Sequence, residues 1–135
     1  MARKICYESL FPAFSKALAE LGAQVIINVT NDSWYGTWQE PYQHMYMTLA
    51  RSVEFRRPVI RVTNTGITTV ALASGEILQQ SPLHQEWSGV YQVAYRKQPS
   101  PTFYQQHFLL MPVLCSIGVV LILLTIVTKK IRCGG

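Results

Sequence analysis

The chain has 135 residues, 49% of them hydrophobic, and a net charge of +5, which is enough material for one modest domain. Its three cysteines, an odd number with no paired ligand spacing, point to neither a disulfide framework nor a metal site. The positive charge requires no nucleic acid to explain it, because much of it sits in two clusters, Arg96-Lys97 and Lys129-Lys130-Arg132, flanking an apolar run near the C-terminus.

In chain order, a strand-like start runs into Cys6 and is followed at once by a helical pattern. Ser9 to Leu21 places Leu10, Phe14, Ala17, Leu18 and Leu21 on one face with Phe11 alongside, Ser9 as N-cap, Pro12 in the first turn and Gly22 as the stop. "QVIINVT" has no polar alternation and reads as a strand covered on both faces. Strand, helix and strand in this order predict a parallel pair joined by a right-handed crossover.

"NDSWYGTW" is a loop by its Asn, Asp, Ser and Gly content. Tyr42, Met45, Tyr46, Leu49, Ala50 and Val53 then recur at helical spacing, and Pro58 forces an end. "VIRVT" and "ITTVALA" predict strands split by Asn64-Thr65-Gly66, with a turn at Ser74-Gly75 and "GVYQVAY" as a last strand. "RKQPSPTFYQQH", with Pro99, Pro101 and the interfacial aromatics Phe103 and Tyr104, reads as a linker toward a membrane.

Phe108 to Thr128 is 21 residues without a charge. As a helix it would extend roughly 32 Å, matching a hydrocarbon core of about 30 Å. Pro112 falls in its first turns, where a missing N–H is tolerated, and Cys115 reads as a small hydrophobe within it. The basic residues after the span lean toward a cytoplasmic tail, with the globular part outside the cytoplasm. Cys133 is either an inert tail residue or a lipidation site just inside the membrane.

The fold class is therefore α/β. The expected division is a globular part over 1–98, a linker over 99–107, a transmembrane helix over 108–128 and a basic cytoplasmic tail over 129–135. A βαβ unit with one helical layer cannot cover both sides of a sheet, so the globular part reads as the later portion of a larger domain.

Cys6, just ahead of a helix, allows two readings. It is a nucleophile whose oxyanion would be met by helix N–H groups, or a buried structural cysteine. Three aromatics in a polar loop, Trp34, Tyr35 and Trp38, must pack inward or meet lipid. Arg56, Arg57 and Arg61 could attract a phosphate or an anionic surface, although Arg56 and Arg57 also suit the C-terminal end of a helix. Asn64 and Gly66 shape a turn. A Cys6–His44 dyad is a further possibility.

"ICYESLFP" resembles the nucleophile elbow of the nitrilase, or carbon–nitrogen hydrolase, superfamily. With "GAQVIINVTNDSWYG", "YQHMYMTLARSVEFRRPVIRVTNTGIT" and the closing apolar run, residues 4 to about 128 are similar to one branch, the bacterial apolipoprotein N-acyltransferases. The resemblance implies part of a nitrilase-like α-β-β-α sandwich followed by one transmembrane helix, at the bacterial inner membrane with the globular part on the periplasmic side. It implies ping-pong acyl transfer from a phospholipid, through a thioester on Cys6, to the α-amino group of a diacylglyceryl-modified apolipoprotein, with no cofactor and no metal. In that scheme the Tyr7 backbone N–H faces the oxyanion, Glu8 organises the site, and Trp34 and Tyr35 line the acyl route. Outside the resemblance, Glu8 could simply be an acid at a helix N-terminus and Tyr7 core packing.

The superfamily's Glu–Lys–Cys triad places its Glu and Lys before the Cys. Only five residues precede Cys6, Lys4 is too close on the same strand, and Lys16 and Glu20 lie on the following helix. The expectation is a C-terminal fragment whose missing N-terminal portion is its partner, inactive alone. The alternatives are a membrane-tethered amidase and a non-catalytic membrane-anchored fragment.

Overall fold

A computed structural model describes residues 1–133; the predicted tail residues Gly134 and Gly135, and the side chains of Ile131 and Cys133, lie outside the described set. The chain divides into two compact units, Met1–Gln105 and the segment from Gln106 onward.

The first unit is built on one sheet. Its strands are β1 (Ala2–Ile5), β2 (Ile26–Thr30), β3 (Val59–Thr63) and β4 (Thr69–Ala71), side by side in chain order. β1, β2 and β3 are parallel and β4 returns antiparallel to β3. The parallel pairing expected for the first two strands is borne out. A 3₁₀ turn (Cys6–Leu10) and helix α1 (Pro12–Glu20) connect β1 to β2, and helix α2 (Glu40–Phe55) connects β2 to β3.

Local chemistry accounts for these limits. Pro12 opens α1, where its missing N–H is no loss. Gly22, at φ +81°, ends it, and the Ala23 N–H reaches back to the Leu18 carbonyl at 3.0 Å. Pro41 opens α2, which stops where Arg56 turns left-handed two residues before Pro58. Ser9 is not the N-cap predicted for the first helix. It is buried in the 3₁₀ turn, and α1 starts three residues later.

Register places Ala2, Ile26, Val59 and Ala71 in one cross-strand row and Lys4, Asn28, Arg61 and Thr69 in the next. Both rows share the face covered by the helices. Ile26, Val59 and Ala71 of the first row join Met45, Leu49 and Ile67 in the apolar core; the second row is polar, and its four residues are all buried. On the opposite face Ile5, Val29 and Val62 stand in register at 69%, 49% and 42% exposure. That row is apolar and uncovered among the described residues, whereas Val70, on the same face at the β4 edge, is buried.

The helix faces differ from the periodicity. Of the α2 stripe, only Met45 and Leu49 are buried, while Tyr42, Tyr46, Ala50 and Val53 face outward. His44, Thr48, Arg51 and Ser52 are buried in their place, because the row they meet is polar. In α1 the small Ser15 and Ala19 are buried, and Phe14 and Leu21 are exposed. "GVYQVAY" forms no strand; Val90 is almost wholly exposed, and no ladder takes up its backbone.

The expected linker has structure of its own. The Thr102 hydroxyl donates to the Glu54 carbonyl at 2.6 Å, Tyr104 packs edge-on against Phe55, and α3 (Phe103–Gln106) includes the buried Gln105. In the second unit, α4 (Leu110–Cys133) runs through the basic cluster instead of stopping at Thr128. Its stretch Leu110–Lys130 is long and apolar enough to cross a membrane.

Candidate active site

β1 delivers its last residue to a sharp turn. Cys6 takes a φ of +48°, a left-handed conformation that costs a residue with a Cβ about 1–2 kcal/mol. Strain of this kind persists where the surroundings over-determine it. Here the Cys6 carbonyl accepts from the Ser9 hydroxyl at 3.0 Å and from Asn28 Nδ2 at 3.2 Å. The Glu8 carboxylate accepts the Ile5 N–H at 2.7 Å and closes the turn from the other side. The thiol of Cys6 is half-buried.

Beneath the turn is a buried polar network centred on Arg61. Its Nε donates to the Ile67 carbonyl at 3.2 Å, and Nη1 donates to Asn28 Oδ1 at 3.3 Å and Thr48 Oγ1 at 3.2 Å. Nη2 donates to Asp32 Oδ2 at 2.5 Å, an ion pair with both side chains fully buried. Asn28 thus holds Arg61 with its oxygen and the Cys6 carbonyl with its nitrogen. The Ser9 and Thr48 hydroxyls, 3.0 Å apart, make a second link between turn and network. Arg61 is therefore an internal strut, which corrects its reading as a lipid- or phosphate-facing residue.

Asp32 also receives His44 Nδ1 at 3.0 Å on its other oxygen. Burial alone would raise the Asp32 carboxyl, but the His44 hydrogen bond and the Arg61 charge outweigh it and hold the group below its ordinary 3.8. His44 Nε2 is buried with no hydrogen-bond partner among the described residues, and no bond joins His44 to Cys6. The Cys6–His44 dyad is not formed. The His44 ring instead stacks on Tyr7 at 5.3 Å and meets Tyr35 edge-on at 5.5 Å.

Those two tyrosines join through their hydroxyls. Burial, the bond to Tyr7 and the nearby Asp32 carboxylate raise Tyr35, so its hydroxyl stays protonated. Of the predicted residues, the fold brings together Cys6, Tyr7, Glu8 and Tyr35. Trp34 and Trp38 do not pack inward; each is more than three-quarters exposed.

Two loops frame this end of the sheet. Asn64 accepts the Asp32 N–H at 3.0 Å and donates to Asn31 Oδ1 at 2.7 Å, fastening one loop to the other. Gly66 is required by contact, since a Cβ there would lie 2.1 Å from Asp32 Oδ2. Both fulfil the turn-shaping part read from the sequence. The sequence alone does not single out Asp32, Asn28 or Thr48 as site residues, and points to His44 only as a partner for Cys6. One signal was present: polar residues at 44, 48, 51 and 52 recur at helical spacing.

Arg57 caps rather than binds. It donates to the Ala19, Ala23 and Phe55 carbonyls at 3.2, 2.6 and 2.6 Å, and so closes the ends of α1 and α2. Lys16 pairs with Glu20 on α1, away from the turn. Lys4, buried in the polar row, donates to Ser15. Burial and then the Arg51 charge push its pKa from 10.5 down to about 8, against the opposing pull of Glu54 and Glu8.

Between pH 8 and 10.5 the unfolded chain holds the Lys4 proton and the folded chain releases it, so stability rises with pH across that window. Below pH 8 the whole cost of burying the cation is present. Urea denaturation of the full chain in neutral detergent should show a rise of roughly 3 kcal/mol, which Lys4→Met removes while stabilising the protein at neutral pH.

Comparison with known proteins agrees with this geometry. The apolipoprotein N-acyltransferase of Bdellovibrio bacteriovorus is 56% identical over 103 residues, covering 76% of this chain and 19% of that protein. That of Chlorobaculum tepidum is 37% identical over 131 residues, covering 96% of this chain and 24% of that protein. The chain thus spans about a fifth to a quarter of the length of these curated relatives. Among solved structures, a carbon-nitrogen hydrolase from Helicobacter pylori G27 superposes with a TM-score of 0.53 at 15% identity, over 62% of this chain and 36% of that one; it supports the fold. The carbon-nitrogen hydrolase family model matches residues 1–97, the whole sheet with its strained cysteine turn, and the chain belongs to that family.

Proposed function

We propose that this chain carries the nucleophilic half of an apolipoprotein N-acyltransferase centre. The observation that supports it most is Cys6, held left-handed at a strand end inside the family-matched residues 1–97 of a chain that is 56% identical over 103 residues to a named acyltransferase. The Cys6 thiolate attacks the ester carbonyl of a phospholipid acyl chain, and the oxyanion collapses to expel the lysophospholipid alkoxide, which takes up a proton. The α-amino group of a diacylglyceryl-cysteine then attacks the thioester; amide forms, the amine loses a proton and the thiolate leaves.

The Tyr7 backbone N–H meets the oxyanion, because N–H groups opening a helical turn have no partner within it. Glu8 acts by fixing the turn. The Tyr7–Tyr35 pair and exposed Trp34 border the path of the acyl chain, where amphipathic rings suit a lipid boundary. The Glu and Lys that complete the triad, the general base and the group that stabilises the tetrahedral intermediate, are supplied by the N-terminal portion of the enzyme, on a second layer that covers Ile5, Val29 and Val62. The apolar part of α4 spans the inner membrane, with Lys129, Lys130 and Arg132 on the cytoplasmic side and the sheet on the periplasmic side.

The test is a chimera joining this chain to the preceding four-fifths of the Bdellovibrio bacteriovorus relative. Incubated with labelled phospholipid and a diacylglyceryl peptide, it should yield N-acyl peptide in excess over free fatty acid. Release of fatty acid alone would mean that water is the acceptor and would overturn the transferase reading.

A further inference from the structure

A cavity lies at the other end of the sheet from Cys6. Register places Cys6 beyond the Ile5–Val29–Val62 end, whereas Arg56 precedes β3 at the Ala2–Ile26–Val59 end. There the cavity, of about 570 Å³, is lined by Arg56, Ser74, Arg96, Ser100, Thr102 and Phe103 among others, with Pro99 and Pro101 stiffening the rim. No acidic side chain lines it among the described residues.

Arg56 occupies this wall at a cost. At φ +49° it sits in a left-handed position that closes α2, the place where glycine is the common occupant. Among the described residues its guanidinium makes a single long bond, 3.4 Å to the Ala73 carbonyl. The two preceding carbonyls are already engaged, Glu54 by Thr102 and Phe55 by Arg57, so the negative end of the helix is occupied by donors. The polar part of the lining is two cations and the hydroxyl residues Ser74, Ser100 and Thr102, beside apolar walls from the prolines and Phe103. Two arginines lining one cavity supply the positive charge and N–H donors that the oxygens of a phosphate group take up, and the volume suits a small molecule more than a bare ion.

We propose that the Arg56–Arg96 cavity is a binding site for a phosphate group, distinct from the cysteine centre and independent of the acyl transfer proposed for it. Two sources share this chemistry, a phospholipid headgroup and a free phosphate. The lipid is favoured by sequence, since six residues separate Phe103 from Leu110, where the apolar helix begins.

The full chain in neutral-detergent micelles, examined by native mass spectrometry, should retain phosphatidylglycerol and not diacylglycerol, which lacks the phosphate. Arg56→Gly and Arg96→Gln should each lower occupancy about tenfold, the effect of losing one charge-assisted contact. Arg56→Gly carries its own control, because glycine accepts φ +49° and should leave the melting temperature equal or higher. Inorganic phosphate that binds the wild type but neither variant, with no lipid retained, assigns the site to free phosphate. Phosphatidylglycerol held equally by wild type and both variants, or diacylglycerol held as well as phosphatidylglycerol, overturns the site.

Discussion

Cys6→Ser in the acyltransferase chimera should lower N-acyl peptide formation by more than about 10⁴-fold while leaving the fold intact. The hydroxyl keeps the position, the size and the left-handed backbone at φ +48°, but it is a much weaker nucleophile at neutral pH. The Cys6 carbonyl bonds to Ser9 and Asn28 are untouched by the change, so the melting temperature should stay within a degree or two. Intact-mass measurement after exposure to phospholipid alone reads the intermediate directly. The wild type should gain the mass of one acyl chain, labile to hydroxylamine, and the serine variant should not turn over. Equal turnover in the two would remove the sulfur from the mechanism.

The second large effect is thermodynamic. Asp32→Ala should destabilise the folded chain by about 3–5 kcal/mol, since it leaves the Arg61 cation buried with no counter-charge and His44 without its acceptor. A domain has a net stability of only about 5–15 kcal/mol, so much of it would be lost. Urea denaturation gives the number. Removing both charges, Asp32→Leu with Arg61→Met, should cost clearly less than the sum of the single changes. Additive single effects would show that the pair is uncoupled.

The pH dependence has its own sign. Asp32 is held below 3.8 in the folded chain, so its contribution is fully present above that value. It is lost as pH falls through the folded value, because the unfolded chain takes up the proton first. The variants should lack this acid loss.

The two experiments report on connected residues. Asn28 joins Arg61 to the Cys6 carbonyl, and Thr48 joins Arg61 to Ser9, which also holds that carbonyl. The strain at Cys6 is sustained by this network. A partial variant such as Asp32→Asn should therefore affect the geometry of the turn before it affects folding as a whole.

Much of the molecule was legible in the residues themselves. Element order, the parallel pairing, the Gly22 stop and the α2 limit near Pro58 all follow from local rules of backbone and turn chemistry. So did the apolar run of α4, whose signal is simple hydrophobicity over a known length. The cysteine turn was recognisable from "ICYESLFP" because such a turn restricts several neighbouring residues at once.

Only the tertiary structure decided which faces are buried and what Arg61 does. Periodicity assumes that apolar residues point inward, and α2 breaks that assumption: His44, Thr48, Arg51 and Ser52 are buried while Tyr42 and Tyr46 are exposed. The reason lies in residues distant along the chain. Lys4, Asn28 and Arg61 fall on the same row only after three strands are in register, and a buried arginine then demands polar partners from the helix above. Similarly, "GVYQVAY" has a strand's composition, but a strand also needs a neighbour to bond, and composition does not supply one.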